Sequence, residues 1–510
     1  MIKFSKEKKL LNLNKMVKTT KILIANRAEI ALRIIRACKE LNIKSVAIYS
    51  DIDKDSDFVK LANEAYPLNG NESKETYLNI EKIISIAKKA KVDAIHPGYG
   101  FLSEEPLLPK RASEEKILFI GPNCDTMKRL GLKVESKKLA DKLHIPRSPG
   151  ENKIITNIDE GKVIAKKIGY PVMIKATGGG GGKGMRLIKN EKELEDGLIS
   201  AQNEAKASFS NSGVFIEKFI DDLRHIEIQI IADSFGNVVH FFERECSIQR
   251  KHQKLVEEAP SSFLTQEERM KLGDYAVKLA QEVGYLGAGT VEFICDNKRN
   301  FYFCEMNTRI QVEHGVTELA TGHDLVKEQI NVCLGKKLSV KQSDIKLIAH
   351  AFECRINAED PQKNFFPSIG TINLCKLPQG DGIRIDGAVK TDYEISQYYD
   401  SMIMKLMSYG RNRTEAIKRM QIFLDETQIT GIKSNLELHK IIFDNKNFQK
   451  GNISANFLDK NKIIEKIKNI KTNDEEINEL NAALAALAIS EYMRKSKGKE
   501  INSWMLSSRE

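Results

Sequence analysis

The chain has 510 residues, 41 % hydrophobic and 29 % charged, the balance of a globular protein with room for roughly three domains of about 150 residues each. Its net charge is +10, but the basic residues do not gather with aromatics into a strip, which argues against a nucleic-acid-binding surface. No apolar run approaches the ~20 residues of a membrane span, and the eight cysteines form no C-x-x-C pair, which points away from zinc ribbons and dithiol redox chemistry and toward a reducing, cytoplasmic setting.

Residues Met1 to Lys21 are basic without an apolar core and are read as an extension rather than a secretory signal, with Met16 as an alternative start. Lys21–Ala25 reads as a short strand, Glu29–Leu41 as a helix, Val46–Ser50 as a second strand and Ile80–Lys91 as a second helix. Ala94–His96 then ends a third strand at Pro97-Gly98-Tyr99-Gly100. This alternation predicts a parallel α/β layer with ligands at the strand carboxyl ends. No G-x-G-x-x-G follows the first strand, so a dinucleotide site is not supported.

Val172–Lys175 reads as a strand that runs into five consecutive glycines, Gly178 to Gly182, followed by Lys183-Gly184. Consecutive glycines let bare backbone N–H groups approach phosphates. Gly184 stands where a Walker loop needs Ser or Thr, so the segment is a phosphate-binding loop of another kind.

From Val214 to about Glu313 the chain is mostly strand-like, with a helix at Gln266–Val283. His225, Glu227 and Gln229 alternate with isoleucines, which puts the polar groups on one face. Glu243 to Lys254 is dense in charged and amide groups and reads as an anion-binding loop; Cys246 within it lacks the His and Asp company of a nucleophile. Gly289 to Cys295 and Phe303 to His314 read as a pair of strands joined by a turn at Asp296 to Asn300. Taken as extended, the second strand shows Glu305, Asn307, Arg309, Gln311 and Glu313 on one face, and Glu292 opposes Glu305. Two close carboxylates repel unless a cation neutralises them, and oxygen ligands of this type suit Mg²⁺ held together with phosphates. A further strand set begins near Ile348, with Glu353, Arg355 and Asn357 again on one face. After Asn461 the pattern turns helical, with Ile477, Leu480, Leu484 and Leu487 in one apolar stripe.

Together these stretches resemble the biotin carboxylase family of the ATP-grasp superfamily. The matching motifs run from Ile24-Ala25-Asn26-Arg27 and His96 to Glu104, through the glycine loop, Arg224 to Glu227 and His252-Gln253-Lys254. They continue through Glu305 to Arg309 and Glu353 to Asp360 and end at Tyr398 to Met402. The resemblance implies an α/β ATP-grasp fold: an N-terminal extension (1–19), a Rossmann-like domain (20–132), an ATP-grasp domain (133–345) with a mobile lid (about 147–220), a β-rich C-terminal domain (346–461) and a helical extension (462–510).

It implies ATP contacts at Lys133, Lys175, Gly181, Gly182, Glu217, Lys218, Phe219, Ile220, His225, Gln249, His252, Glu292 and Glu305. It implies a pair of divalent ions, Mg²⁺ or Mn²⁺, on Glu292, Glu305 and Asn307. Lys254, Arg309, Gln311 and Val312 would form the bicarbonate pocket, Glu313 the base, and Arg355 the group that steadies the biotin enolate. The catalytic set is then Glu313, Arg309, Lys254 and Arg355. No Met-Lys-Met motif and no transferase domain occur, so biotin is expected on a separate carrier protein, with carboxyltransferase subunits as further partners and a homodimer within the complex. The acceptor stays open among acetyl-CoA, propionyl-CoA and pyruvate. A different ATP-grasp ligase, or a non-catalytic protein that keeps the fold, are the alternatives. The sequence departs from the family's usual pattern at Ala28 (Gly), Glu105 (Asn), Leu132 (Asp) and Gly315 (Pro).

Overall fold

A computed structural model describes residues 20–151, 153–155, 157–177, 185–209, 213–469 and 484–491. The first layer is a five-stranded parallel sheet built from β1 (Lys21–Ile24), β2 (Lys44–Tyr49), β3 (Glu64–Pro67), β4 (Ala94–His96) and β5 (Leu118–Phe119), in the order β3-β2-β1-β4-β5. Helix α1 (Ala28–Glu40) follows β1, and α2 (Ile80–Lys89) precedes β4. The central strands are apolar throughout because helices cover both faces, as the near-continuous runs Ile22-Leu23-Ile24 and Val46-Ala47-Ile48 require. Ala28 sits at φ 55°, the left-handed region that suits glycine.

After α3 (Lys133–Lys142) comes a small antiparallel sheet, β7-β6-β8, formed by β6 (Val172–Ala176), β7 (Met185–Ile188) and β8 (Val214–Lys218). The main sheet has eight antiparallel strands. They are β9 (Arg224–Ala232), β10 (Val238–Arg250), β11 (Gln253–Ala259), β12 (Gly287–Cys295), β13 (Phe301–Asn307), β14 (His350–Asn357), β15 (Ile383–Gly387) and β16 (Met402–Gly410), in the order β13-β12-β9-β10-β11-β14-β16-β15. It is continuous from the central segment into the C-terminal one, because β11 pairs with β14 over Val256 to Ala259.

The period-2 pattern of β9 explains what each face does. Ile226, Ile228 and Ile230 pack on α4 (Gln266–Glu282) through Leu272, Ala276 and Leu279. Each such buried aliphatic side chain contributes about 1.5–3 kcal/mol. The helix starts at a capping box in which Thr265 and Glu268 exchange bonds. The alternate residues His225, Glu227 and Gln229 therefore face the other way, toward α5 (His314–Thr321).

Two expectations from the sequence change here. Glu243 to Lys254 is not a loop: β10 and β11 form a hairpin through Lys251 and His252, at φ 48° and 66°. Two positive φ values fit a two-residue turn whose twist matches the strands. The charges suggested a solvated loop, but Glu243, Arg244, Glu245 and Lys254 are inward-facing and paired, and only the tip at Lys251 to Gln253 is exposed. Secondly, the strand expected over Phe303 to His314 stops at Asn307, the last residue in register with β12. Residues 308–313 form an unladdered turn leading into α5.

Candidate active site

Glu313 is the centre of the site. It precedes α5, is fully buried, and is bracketed by two cations: Lys254 Nζ donates to Oε1 at 2.7 Å and Arg355 Nη2 to Oε2 at 2.9 Å. Burial alone would raise its proton affinity; the charges of Lys254, Arg355 and Arg244 outweigh that and hold the carboxyl well below the usual range.

Lys254 is shared further. Its ammonium also meets Glu227 and lies 3.3 Å from Glu292 Oε1. Glu292 accepts from Asn307 Nδ2 at 2.9 Å and stands 3.1 Å from His225 Nε2. Its carboxyl is lowered against burial by Lys254 and His225. Arg309 donates to Asn307 Oδ1 at 3.0 Å, to Gln311 Oε1 at 2.7 Å and to Glu104 Oε2 at 2.9 Å. Arg309, Gln311 and Glu313 therefore do converge with Asn307, although a turn and not a strand presents them. Val312 lies between them with its carbonyl held by Lys405 Nζ at 2.8 Å.

Glu292 and Glu305 are direct register partners across β12 and β13. The Glu305 carboxylate lies 3.6 Å from Lys133. Among the described residues, the ligand atoms that lie within 4.8 Å of one another belong instead to two groups, His225 with Glu227 and Glu292, and Glu227 with Cys246 and Glu313. The carboxylate and amide oxygens of Glu292, Glu305 and Asn307 are hard donors of the kind a divalent ion shared with phosphates takes.

Of the expected nucleotide residues, Lys175, Glu217 and Lys218 lie on the small sheet with Phe219 and Ile220 just after it, while His225, Gln249, Glu292 and Glu305 lie on the main sheet. Lys175 pairs with Glu217 at 2.8 Å, and Glu217 also meets Lys137, whose ammonium lies 4.1 Å from the Phe215 ring centre. Burial and the neighbouring cationic charge push the Lys175 and Lys137 ammoniums below their usual range. Lys218 donates to the carbonyls of Gly169 and Tyr170 at 2.9 and 3.1 Å, and Phe219 N–H to Pro171 O at 3.2 Å, which ties the end of β8 to the segment that leads into β6. Ile220 is half-buried beside them. Gln249 Nε2 bonds Cys246 O at 2.9 Å and stands 3.1 Å from His225 Nδ1. His252, at the hairpin tip, is pushed below its usual value by burial and by the charges of Lys175 and His225. Gly181 and Gly182, with the rest of the glycine loop, lie outside the described residues.

Sequence reading missed several groups that fix these side chains. Arg244, fully buried, binds Glu227, Gln229 (2.8 Å), Thr290 (3.0 Å) and, on α5, Thr317 (3.0 Å). Glu257 accepts from Arg355 Nε at 2.6 Å, and Asn435 and His439 anchor the Arg355 carbonyl at 2.9 Å. The signal for Lys405 was present: a lone Lys inside the apolar run Met402 to Met407 marks a buried, partnered charge. Cys246 lies beside Glu313, but burial drives its thiol far above the usual range, so it is no nucleophile.

A polar-faced antiparallel sheet, buried lysines on and beside a small separate sheet and a row of carboxylates between them fit an ATP-grasp enzyme of the acyl-phosphate-forming, ligase type. Comparison narrows the class. Family profiles match over nearly the whole described core: biotin carboxylase, N-terminal domain, at 18–127; carbamoyl-phosphate synthase L chain, ATP binding domain, at 133–341; and biotin carboxylase C-terminal domain at 353–460. Biotin carboxylase 1 of Bacillus subtilis is 50 % identical over 440 residues, 86 % of this chain and 98 % of that one. A pyruvate carboxylase subunit of Methanothermobacter thermautotrophicus is 46 % identical over 490 residues, 94 % of this chain and 100 % of that one. The biotin carboxylase domain of Hydrogenobacter thermophilus 2-oxoglutarate carboxylase, solved with MgADP, ADP and bicarbonate, superposes with a TM-score of 0.85 at 46 % identity, covering 87 % of this chain and 98 % of that one. The chain belongs to the biotin carboxylase family.

Proposed function

We propose that the chain carboxylates biotin on a separate carrier protein, using ATP and bicarbonate through carboxyphosphate. The observation that carries the reading is Glu313, a buried carboxylate between Lys254 and Arg355 with Arg309 and Gln311 alongside.

Bicarbonate is a weak nucleophile until it loses its proton, and a positioned carboxylate speeds that step by about 10²–10⁴-fold. In this reading Lys254, Arg309, Gln311 and the Val312 backbone hold the anion, and Glu313 takes the O–H proton. The freed oxygen forms a bond to the γ-phosphorus as the bond to the β,γ-bridging oxygen breaks and ADP leaves. Lys133 and Lys175 would face the phosphates and offset their charge, with His252 as a hydrogen-bond donor beside them. Glu292, Glu305 and Asn307 would hold Mg²⁺ or Mn²⁺, which supplies charge neutralisation on the phosphates. Glu217 to Ile220, with His225 and Gln249, would line the nucleoside end. Carboxyphosphate breaks to carbon dioxide and phosphate; phosphate removes the ureido N–H proton of biotin, and the nitrogen bonds to carbon dioxide. Arg355, permanently charged, sits where the ureido oxygen gains negative charge.

The family's domain division of this chain at 132, 345 and 461 goes with this reading, as do a cytoplasmic setting and a homodimer. Among the described residues no helix is long and apolar enough to cross a membrane. The match to the Methanothermobacter pyruvate carboxylase protein reaches 490 residues, 94 % of this chain, against 440 for Biotin carboxylase 1, so it takes in part of the C-terminal extension. That favours a pyruvate or related 2-oxoacid acceptor over an acyl-CoA, and a role for the extension in docking the carrier and transferase partner. Leu484, Leu487 and Ile489 on it are exposed, which suits a docking face; Ile477, Leu480 and Trp504 lie outside the described residues. Truncation after Asn461 should abolish co-purification of that partner, and retained assembly rejects the docking role.

The function itself is tested by bicarbonate-dependent ATP hydrolysis with and without free biotin. Stimulation by biotin supports the reading; turnover with another acceptor only, or none from folded protein, rejects it. Glu313→Ala should lower the activity by at least about 10²-fold while nucleotide binding persists.

A further inference from the structure

The turn between β13 and α5 carries Arg309, Gln311 and Glu313, yet beyond Asn307 no strand ladder holds its backbone. The peptide that joins Val312 to Glu313 is gripped from another part of the chain. Its carbonyl accepts a 2.8 Å bond from Lys405 Nζ. Lys405 stands on β16 directly opposite Arg355 on β14, and none of its side chain reaches solvent. Its ammonium lies 3.3 Å from Glu29 Oε1 of α1 and 3.6 Å from Asp386 Oδ2 of β15. Glu29 in turn accepts the hydroxyl of Tyr99, from the Gly-Tyr-Gly turn after β4, whose ring centre is 6.0 Å from the same ammonium.

A buried ammonium is a costly way to satisfy one carbonyl. Desolvating it takes several kcal/mol, and an apolar side chain of similar volume is often as stable or more so. What the charge supplies is direction: a charged donor makes a bond roughly twice as strong as a neutral one. Here it fixes a peptide plane that no strand partner fixes, and Glu313 is the next residue along. The same ammonium ties that plane to Glu29 and so to Tyr99, in the turn that follows a strand of the other, parallel sheet.

We propose that Lys405 is a positioning residue for bicarbonate activation: by holding the Val312 carbonyl it sets the direction of the Glu313 carboxylate, and through Glu29 it couples that setting to the Tyr99 turn. The proposal rests on Glu313 acting as the base. Lys405 does not touch the reactants; it acts through the backbone of the turn. A purely structural role would lower stability and affect every substrate alike, whereas a positioning role falls on bicarbonate.

Lys405→Met keeps length and volume and removes the donor. In the full-length protein, bicarbonate-dependent ATP hydrolysis should then show a KM for bicarbonate raised about tenfold or more. kcat should fall by about 10²-fold, the cost of a misplacement of about 1 Å, and the KM for ATP should stay within about twofold. A folded variant with all three constants at wild-type values overturns the proposal. So does an equal loss for ATP and bicarbonate, which marks a structural role only. Should Lys405→Met fail to fold, Glu29→Gln carries the test, since it keeps an acceptor for Tyr99 and removes a carboxylate beside Lys405. A selective rise in the bicarbonate KM supports the coupling, and unchanged constants overturn it. Wild-type protein without bicarbonate-dependent turnover would instead sink the proposed function, which keeps the two failures apart.

Discussion

Lys254→Met is the sharpest test of the charge arrangement at the centre of the site. The ammonium serves three buried carboxylates: Glu227, Glu292 at 3.3 Å and Glu313 at 2.7 Å. At an effective dielectric of about 20, the Glu313 contact alone amounts to about 6 kcal/mol and the Glu292 contact to about 5 kcal/mol. The net loss is smaller because the lysine's own desolvation is recovered. Each carboxylate also keeps another partner: Arg244 for Glu227, Asn307 and His225 for Glu292, Arg355 for Glu313. Removing one member of a buried ionic group leaves a net cost of about 3–5 kcal/mol.

The cost has a pH signature. Glu292 and Glu313 bind protons more weakly in the folded chain than in the unfolded one. Their ionised contacts therefore contribute stability above the unfolded value of 4.5 and lose it as pH falls toward the folded values. Without Lys254 the folded carboxyls hold protons more tightly. The gap between variant and wild type is then full near pH 8 and narrows on acidification, by up to about 1.4 kcal/mol per pH unit for each carboxyl that titrates. Urea unfolding at pH 8 and pH 5.5 reads this directly. A gap that stays constant or widens at pH 5.5 refutes the view that Lys254 is what keeps these carboxylates ionised.

Other expected outcomes follow from single contacts. Glu257 is buried, with one oxygen on Arg355 and the other without a hydrogen-bond partner among the described residues, and burial pushes its carboxyl up to about 7. It therefore costs the wild type stability as pH rises from 4.5 through 7, so Glu257→Gln should gain on wild type by about 3 kcal/mol between pH 4.5 and 8 in chemical denaturation; a flat difference rejects this. Gly315→Ala would place a Cβ 2.4 Å from Met407 Sδ, and should destabilise by about 1–3 kcal/mol in a thermal melt, with Met407→Ala in the same chain recovering part of the loss. Ala28→Gly should stabilise the fold by about 0.5–1 kcal/mol, read as a raised urea midpoint, because Ala28 holds φ 55°; a lowered midpoint would show that the Ala methyl group packs usefully there.

Much of this site was legible because its strands keep period 2. Isoleucines at 226, 228 and 230 with His225, Glu227 and Gln229 between them assign both faces of β9 without coordinates. The turn at Asp296 to Asn300 by itself sets Cys295, Ile294 and Phe293 against Phe301, Tyr302 and Phe303; an irregularity next to Glu292 then shifts the register by one, and that shift brings Glu292 opposite Glu305. The same rule overreached after Asn307. Alternation of polar and apolar residues continues to Glu313, but the backbone leaves the ladder, and a turn brings Arg309 and Gln311 to the same place a strand face would. Pattern reports which side chains share an environment; it does not report the backbone that carries them there. The hairpin Glu243 to Lys254 failed in the opposite sense: charge density usually marks solvent, and here only the tip at Lys251 to Gln253 meets it, while Glu243, Arg244 and Glu245 are buried with their partners. Arg244, at 0 % exposure, is readable only once Glu227, Gln229, Thr290 and Thr317 are seen around it.

That mutual burial bears on catalysis. A base held by two cations is a poor base, and Glu313 between Lys254 and Arg355 is of this kind. Its proton affinity can rise only when Lys254 and Arg355 find other anions to serve. Bicarbonate beside Lys254 would be one, and the oxygen of biotin beside Arg355 the other. Each would draw a cation from Glu313 as the substrate that needs deprotonation, or the acceptor that must receive carbon dioxide, comes into place. Glu257 is placed to keep Arg355 anchored by its Nε while Nη2 leaves Glu313, since the two carboxylates hold different nitrogens of the same guanidinium. In the proposed mechanism the charge pairs that silence Glu313 are thus the ones that substrates must break, which would tie activation of bicarbonate to occupancy of the site rather than to solvent pH.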